Sequence, residues 1–143
     1  EMCANEAIRI LEPFGLTPEQ VKEVREAIED HSFSRGGIPR SFLGECLQDA
    51  DRLEALGALG LFRLISTGTK MNSDYFNTTD PWAKKRELDD RKFMVDHCFT
   101  KLLKLQDSMR TPAGKKEAKV RSATIEIFLH ALGEELGQDY LAK

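Results

Sequence analysis

Two carboxylates and a guanidinium stand together in Gln48-Asp49-Ala50-Asp51-Arg52-Leu53, inside the most apolar part of the chain. Buried charge is costly unless it is paired or bound to a metal. The cluster is therefore either an ion pair among Asp49, Asp51 and Arg52 or a carboxylate ligand for a hard cation. Such a cation lowers the pKa of a bound water and turns it into a nucleophile. His31 is a second candidate, because it closes a helical stretch and leads Ser32-Phe33-Ser34-Arg35-Gly36-Gly37. It reads either as a surface histidine favoured at a helix C-terminus or as the head of a loop that holds phosphate oxygens. In the second reading hydroxyls, backbone amides and the Arg35 guanidinium make the contacts. Asp96-His97 is a third pair, followed at one and two turns by Lys101 and Lys104, with Arg110 ending the same stretch. Neighbours on a helix point about 100° apart and do not chelate one ion together, so that pair reads as structural. Lys101 and Lys104 are either solvated helical lysines or the lining of a groove for phosphate.

The elements that must position these groups are helical nearly throughout. Ala7, Ile8, Ile10 and Leu11 share one side of an opening helix that Pro13 and Gly15 end. Thr17-Pro18-Glu19-Gln20 has the form of a capping box with proline at the first helical position, and the apolar spacing after it predicts a helix to about Asp30. Ser41 can cap a third stretch whose apolar residues run from Phe42 to Ile65 on too many sides for a surface helix, which predicts a central, buried one. A long loop is expected from Ser66 to Pro81, then a long helix opening at Asp80-Pro81 and running through Met109. Thr111-Pro112 marks a fresh start. The last helix carries Ala118, Arg121, Ile125, Phe128, Leu129, Leu132 and Leu136 along one stripe. The expected fold is all-α, one domain of five or six helices.

At 143 residues the chain has room for one real core. With 41% hydrophobic and 31% charged residues it is not a disordered chain. Its apolar runs are only a few residues long, so no membrane span is expected. Cys3, Cys46 and Cys98 are odd in number and widely spaced, which supports neither a disulfide framework nor a zinc knuckle and makes a reducing, cytoplasmic setting the expectation. The net charge of −3 hides an asymmetry: residues 84–121 hold 12 basic and 6 acidic side chains. That run is either a solvated face or a surface for phosphorylated ligands.

Three blocks in order, Glu29-Asp30-His31-Ser32-Phe33-Ser34, Gln48-Asp49-Ala50-Asp51-Arg52-Leu53-Glu54-Ala55-Leu56-Gly57-Ala58-Leu59-Gly60 and Asp96-His97-Cys98-Phe99-Thr100-Lys101-Leu102-Leu103-Lys104-Leu105, resemble the HD-domain metal-dependent phosphohydrolases, in the branch that includes nucleotide pyrophosphohydrolases. The metal site of that family is built from a first histidine, a consecutive His-Asp pair and a distant aspartate in an Ala-Asp-Arg-like context. Only the last maps here, on Asp51, with Asp49 as the alternative. Asp96-His97 has the reverse order and sits in the C-terminal block. The resemblance implies an HD-like domain over 1–143, incomplete at its N-terminus, and a chain that is inactive by itself. It implies Mn²⁺ or Mg²⁺ as cofactor and a nucleotide or related phosphate ester as substrate. In that reading His31 transfers a proton or orients phosphate, and Arg35, Lys101 and Lys104 bind phosphate. The rival expectation is a helical module without catalysis that holds a nucleotide, nucleic acid or acidic partner on its basic face. No membrane partner is expected, nucleic acid is the less favoured ligand, and a homodimer is open because the stripes of the last two helices could pack on a second copy.

Overall fold

The computed structural model describes residues 2–31 and 37–140, and among these the structure is helical with no strand. Six helical stretches follow one another: α1 (Met2–Leu11), α2 (Pro18–Asp30), α3 (Phe42–Leu53), α4 (Gly57–Lys70), a composite stretch from Met94 to Ser108, and α7 (Pro112–Leu136). The composite is α5 (Met94–His97), a π turn (Cys98–Leu102), α6 (Leu103–Leu105) and a 3-10 turn (Gln106–Ser108). An isolated bridge between Asp74 and Phe93 is the one extended pairing among the described residues.

The chain divides into two compact units. One holds the residues up to Arg52 together with Met109–Gly114. The other holds Leu53–Ser108 and the chain from Lys115 onward.

In the first unit the helix ends follow from local chemistry. A 3-10 turn at Glu12–Phe14 closes α1, with Gly15 in the left-handed region after it. The capping box forms as the sequence predicts: Thr17 Oγ1 accepts from the Gln20 N–H at 3.3 Å, and Gln20 Oε1 accepts from the Thr17 N–H at 2.9 Å. Two of the orphan donors of α2 are satisfied reciprocally. Arg25 donates across to Asn5 Oδ1 of α1 at 2.8 Å. Arg40 forks onto Asp30, at 2.8 and 3.0 Å, and reaches Glu29 and Glu26 as well, so one guanidinium gathers the acidic end of α2. The Ser41 hydroxyl accepts from the Gly44 N–H and starts α3.

In the second unit both the composite stretch and α7 carry buried residues. Ala118, Ser122, Ile125 and Leu129 are buried at three- and four-residue intervals along α7, with Cys98, Leu102 and Leu105 buried on the composite stretch. Trp82, Phe99 and Tyr140 form an aromatic cluster, and the Trp82 indole N–H donates to the Gln138 carbonyl at 2.9 Å. An indole buried with its N–H satisfied tethers the segment before α5 to the end of α7.

Three expectations about local structure change. The apolar run from Phe42 to Ile65 is two helices, α3 and α4, because Gly57 takes a positive φ of 69° behind Glu54–Leu56. It is not buried on all sides: Phe42, Leu59 and Phe62 are exposed, Phe62 by 74%. The loop expected from Ser66 to Pro81 begins later, because α4 continues to Lys70, with the Thr69 hydroxyl donating to the Ile65 carbonyl one turn back. Conversely, the segment from Asp80 to Phe93 is not helical. The Asp80 carboxylate accepts from the N–H groups of Lys84 and Lys85, and Ala83 sits at φ 49°. A helix cannot run through a β-carbon residue in the left-handed region.

Candidate functional site

The carboxylate cluster on α3 separates into two roles. Asp49 is buried, and its Oδ1 accepts from the Arg110 N–H at 2.8 Å while its Oδ2 accepts from the Thr111 N–H and the Thr111 hydroxyl, both at 2.8 Å. The Thr111 hydroxyl in turn accepts from the Gly114 N–H at 2.9 Å. Asp49 therefore anchors the first turn of α7, where a negative charge is favoured by the exposed N–H groups and the helix dipole. A carboxylate offers about four lone-pair sites, and three of those on Asp49 are committed. Asp51, two residues on, is exposed and is the carboxylate of the two left to meet an ion.

Gln48 and Arg52 complete this region of the first unit. The buried Gln48 amide donates to the carbonyls of Asp30 and Gly37 and accepts from the Arg110 guanidinium at 3.3 Å. Arg52 is buried too, and burial, with Arg110 close by, pulls its pKa below that of an ordinary guanidinium. Among the described residues no group of three His, Cys, Asp or Glu side chains is gathered that could hold an ion. A divalent cation takes six or more oxygen donors, and Asp51 offers one carboxylate. The described residues alone do not fit the implied metal.

His31 sits at the C-cap of α2, half-buried, with Nδ1 hydrogen-bonded to the Ile28 carbonyl. That contact satisfies one of the carbonyls orphaned at the helix end. Arg35 lies outside the described residues.

The second unit contains a cavity of about 410 Å³. Lys101 lines it, whereas Lys104 is exposed and is not part of the lining. Its cationic side chains are Arg63 from α4, Arg91 from the loop before α5, and Lys101 from the π turn. Asp90 and His97 lie in the same wall, and Asp90 Oδ2 is 3.0 Å from His97 Nδ1 and accepts from the Thr100 hydroxyl at 2.9 Å. Those hydrogen bonds, from His97 first and Thr100 second, hold the Asp90 carboxyl below the usual carboxylate range. The apolar lining comes mainly from Leu64, Met71, Met94 and Leu102. Gly68 lets α4 approach: a β-carbon there would overlap the Met94 side chain.

Neither Arg63 nor Arg91 was singled out in the sequence, since nothing in their local spacing marks them. His97 was read as structural, and its neighbour Asp96 is so. Asp96 is fully buried and accepts the Arg86 guanidinium through both oxygens, at 2.5 and 2.8 Å, with a third bond from the Asp89 N–H. The basic run 84–121 is thus partly consumed inside the protein. Arg86 is spent on Asp96, Arg110 reaches Gln48, and Arg121 donates to the Leu53 carbonyl and to Glu117.

No family model matches the chain. Bacillus subtilis YpgQ is 31% identical over 128 residues, which is 86% of this chain and 56% of YpgQ. The crystal structure of YpgQ in complex with ADP matches with a TM-score of 0.71 at 26% identity, over 92% of this chain and 61% of that one. An HD-superfamily hydrolase from Bacillus thuringiensis matches with a TM-score of 0.72 at 30% identity, over 94% of this chain and 62% of that one. The chain has the HD-superfamily fold. It spans between half and two thirds of the length of these relatives. Within the HD fold seen here, the Asp49–Thr111 anchor, the exposed Asp51 and the cavity around Lys101 are the features that carry chemistry. Among the described residues no helix is long and apolar enough to cross a membrane.

Proposed function

We propose that this chain serves a divalent-metal phosphohydrolase that uses Mn²⁺ or Mg²⁺ and acts on nucleotides or related phosphate esters. The observation that carries the reading is the likeness, at 30% identity over 94% of the chain, to an HD-superfamily hydrolase. YpgQ, solved with ADP, points the substrate class toward nucleotides. Asp51 is the described residue proposed to supply one oxygen donor to the ion. His31, Arg35, Lys101 and Lys104 are the side chains assigned to proton transfer and phosphate.

The test is release of phosphate or pyrophosphate from a nucleotide panel with Mn²⁺ and with Mg²⁺, for the 143-residue chain and for the product of the full coding sequence. Metal-dependent release by the full product is expected, lost by at least ~100-fold in Asp51→Ala, since even groups one shell out from a metal cost 10- to 100-fold. Retention of activity in Asp51→Ala, or inertness of the full product with every metal, overturns the reading.

A further inference from the structure

The stripe that the sequence marks on the last helix is turned inward: Ala118, Ile125 and Leu129 are buried, with Ser122 among them. It is not open to a second copy. The opposite side of α7 carries Lys116, Val120, Ala123, Thr124, Ile127 and Ala131, all exposed and recurring at helical spacing. Val120 is 60% exposed and Ile127 69%. A helix with one face in water ordinarily lines that face with charged side chains. Between Lys116 and Glu134 this face has none, and it offers two branched apolar side chains among small ones.

Charge along α7 is divided by sign. Residues 115–121 hold Lys115, Lys116, Lys119 and Arg121 against Glu117, and Arg121 already pairs with Glu117 at 2.8 Å. Residues 122–136 hold Glu126, Glu134 and Glu135 and no lysine or arginine. The helix dipole favours acids at the N-terminal end and bases at the C-terminal end, yet the first turn of α7 has no acid and the last turn no base. Lys116 and Glu134 cannot relieve this within one chain, because they stand roughly 27 Å apart along the axis at 1.5 Å per residue.

An antiparallel pair of such helices relieves it at both ends. Each basic half lies along an acidic half, and the two dipoles oppose one another. With a two-fold axis passing between Ala123 and Thr124, Val120 of each copy meets Ile127 of the other, and the small side chains stand where the backbones come nearest. Lys116 then falls beside Ala131 of the second copy, one turn from its Glu134 and Glu135. A parallel pair would instead set lysine on lysine and glutamate on glutamate. We propose that the outer face of α7 is a docking surface for a second copy of this chain, joined antiparallel through Val120 and Ile127 and held in register by Lys116 against Glu134 and Glu135. Such a contact is isologous and closes as a dimer, and it does not depend on the hydrolase reading.

Sedimentation equilibrium of the 143-residue chain and of the full coding product tests it. One helix pair is a small interface, so a monomer–dimer equilibrium with Kd of ~10 to 100 μM is expected, weakening as salt is raised. Ile127→Glu should weaken it ~10-fold or more, by setting a bare carboxylate against Val120. That side chain is exposed, so the urea midpoint should hold. Lys116→Glu, and separately Glu134→Lys with Glu135→Lys, should each weaken it several-fold, and the three together should bring Kd back to within about 2-fold of the wild type. Only opposed charges meeting across two chains give that rescue. Either protein remaining monomeric throughout overturns the proposal, as does association that Ile127→Glu leaves intact or that salt strengthens. Failure of the combined charge swap to restore Kd overturns the antiparallel register. Dissociation by Phe62→Glu on the exposed face of α4, with Ile127→Glu silent, would move the contact to α4 and overturn it as well.

Discussion

Asp49 and Gly114 are locked to one another: a β-carbon at position 114 would overlap Asp49 Oδ2, whose place is fixed by donors from Thr111. The first turn of α7 is thereby fitted around a carboxylate from α3. Gly114→Ala should destabilise the chain by about 1 to 3 kcal/mol, because a pinned carboxylate cannot yield to the new methyl group. Asp49→Ala should cost roughly 2 to 4 kcal/mol by leaving buried N–H donors without an acceptor. Urea denaturation of the double variant checks the coupling. Removing the carboxylate should relieve most of the cost of the methyl group, and strictly additive losses would contradict the fit described here.

The Arg86–Asp96 pair is the most deeply buried charge pair described. Breaking such a pair from one side costs about 3 to 5 kcal/mol, since the remaining ion stays buried without compensation. Arg86→Met should therefore lower the urea midpoint far more than Lys85→Met one position away. A difference within error between the two would show that Asp96 is satisfied without its guanidinium.

Acid should unfold this protein partly through Asp90 and Asp80. The carboxyl of Asp90 is held low by His97 and Thr100, and that of Asp80 by the N–H groups of Lys85 and Lys84. A carboxyl whose folded pKa is depressed stabilises above its unfolded value, near 4, and that stabilisation is lost as pH falls through the folded value. The urea midpoint should accordingly hold from pH 7 to 5 and fall from about pH 4 downward, less steeply in Asp90→Asn. An Asp90→Asn profile parallel to that of the wild type would remove Asp90 from the account.

Thiol labelling should discriminate between two cysteines. Burial pushes the Cys98 thiol up to about 12, while Cys46 is exposed on α3. The thiolate is the reactive form, so at pH 8 mass spectrometry of the native chain should find Cys46 alkylated and Cys98 unmodified. Urea should open Cys98 to the reagent. Modification of Cys98 at the same rate with and without urea would mean that the core around it is not closed.

Local punctuation carried much of this fold. Thr17 and Gln20 cap as their spacing predicts, Gly15 closes the turn after α1, and α7 begins at Pro112, because each feature is decided by a few adjacent residues. The misreadings share a different cause. Asp80-Pro81 looks like a helix start, yet Arg86 is drawn onto Asp96 ten residues away and the chain turns instead, a tertiary contact overriding propensity. Thr67-Gly68-Thr69 looks like loop, yet Gly68 is there to admit Met94. The site follows the same division. Asp51 and Lys101 stood out within their motifs, and Asp49 was visible but not its duty, which depends on residues sixty positions on. Arg63 and Arg91 come together with His97 only through folding, and no spacing rule marks residues that meet that way.

The π turn at Cys98–Leu102 bears on how such a site can vary. A π turn is a single extra residue accommodated within an α-helix, so shortening it by one would return the stretch to regular winding with Met94 and Leu105 still on their present faces. The side chain that would be re-aimed is Lys101, the cation in the turn. Length at this one place, and not only substitution, is therefore a way to change which side chain the turn presents to the cavity while its core stays put.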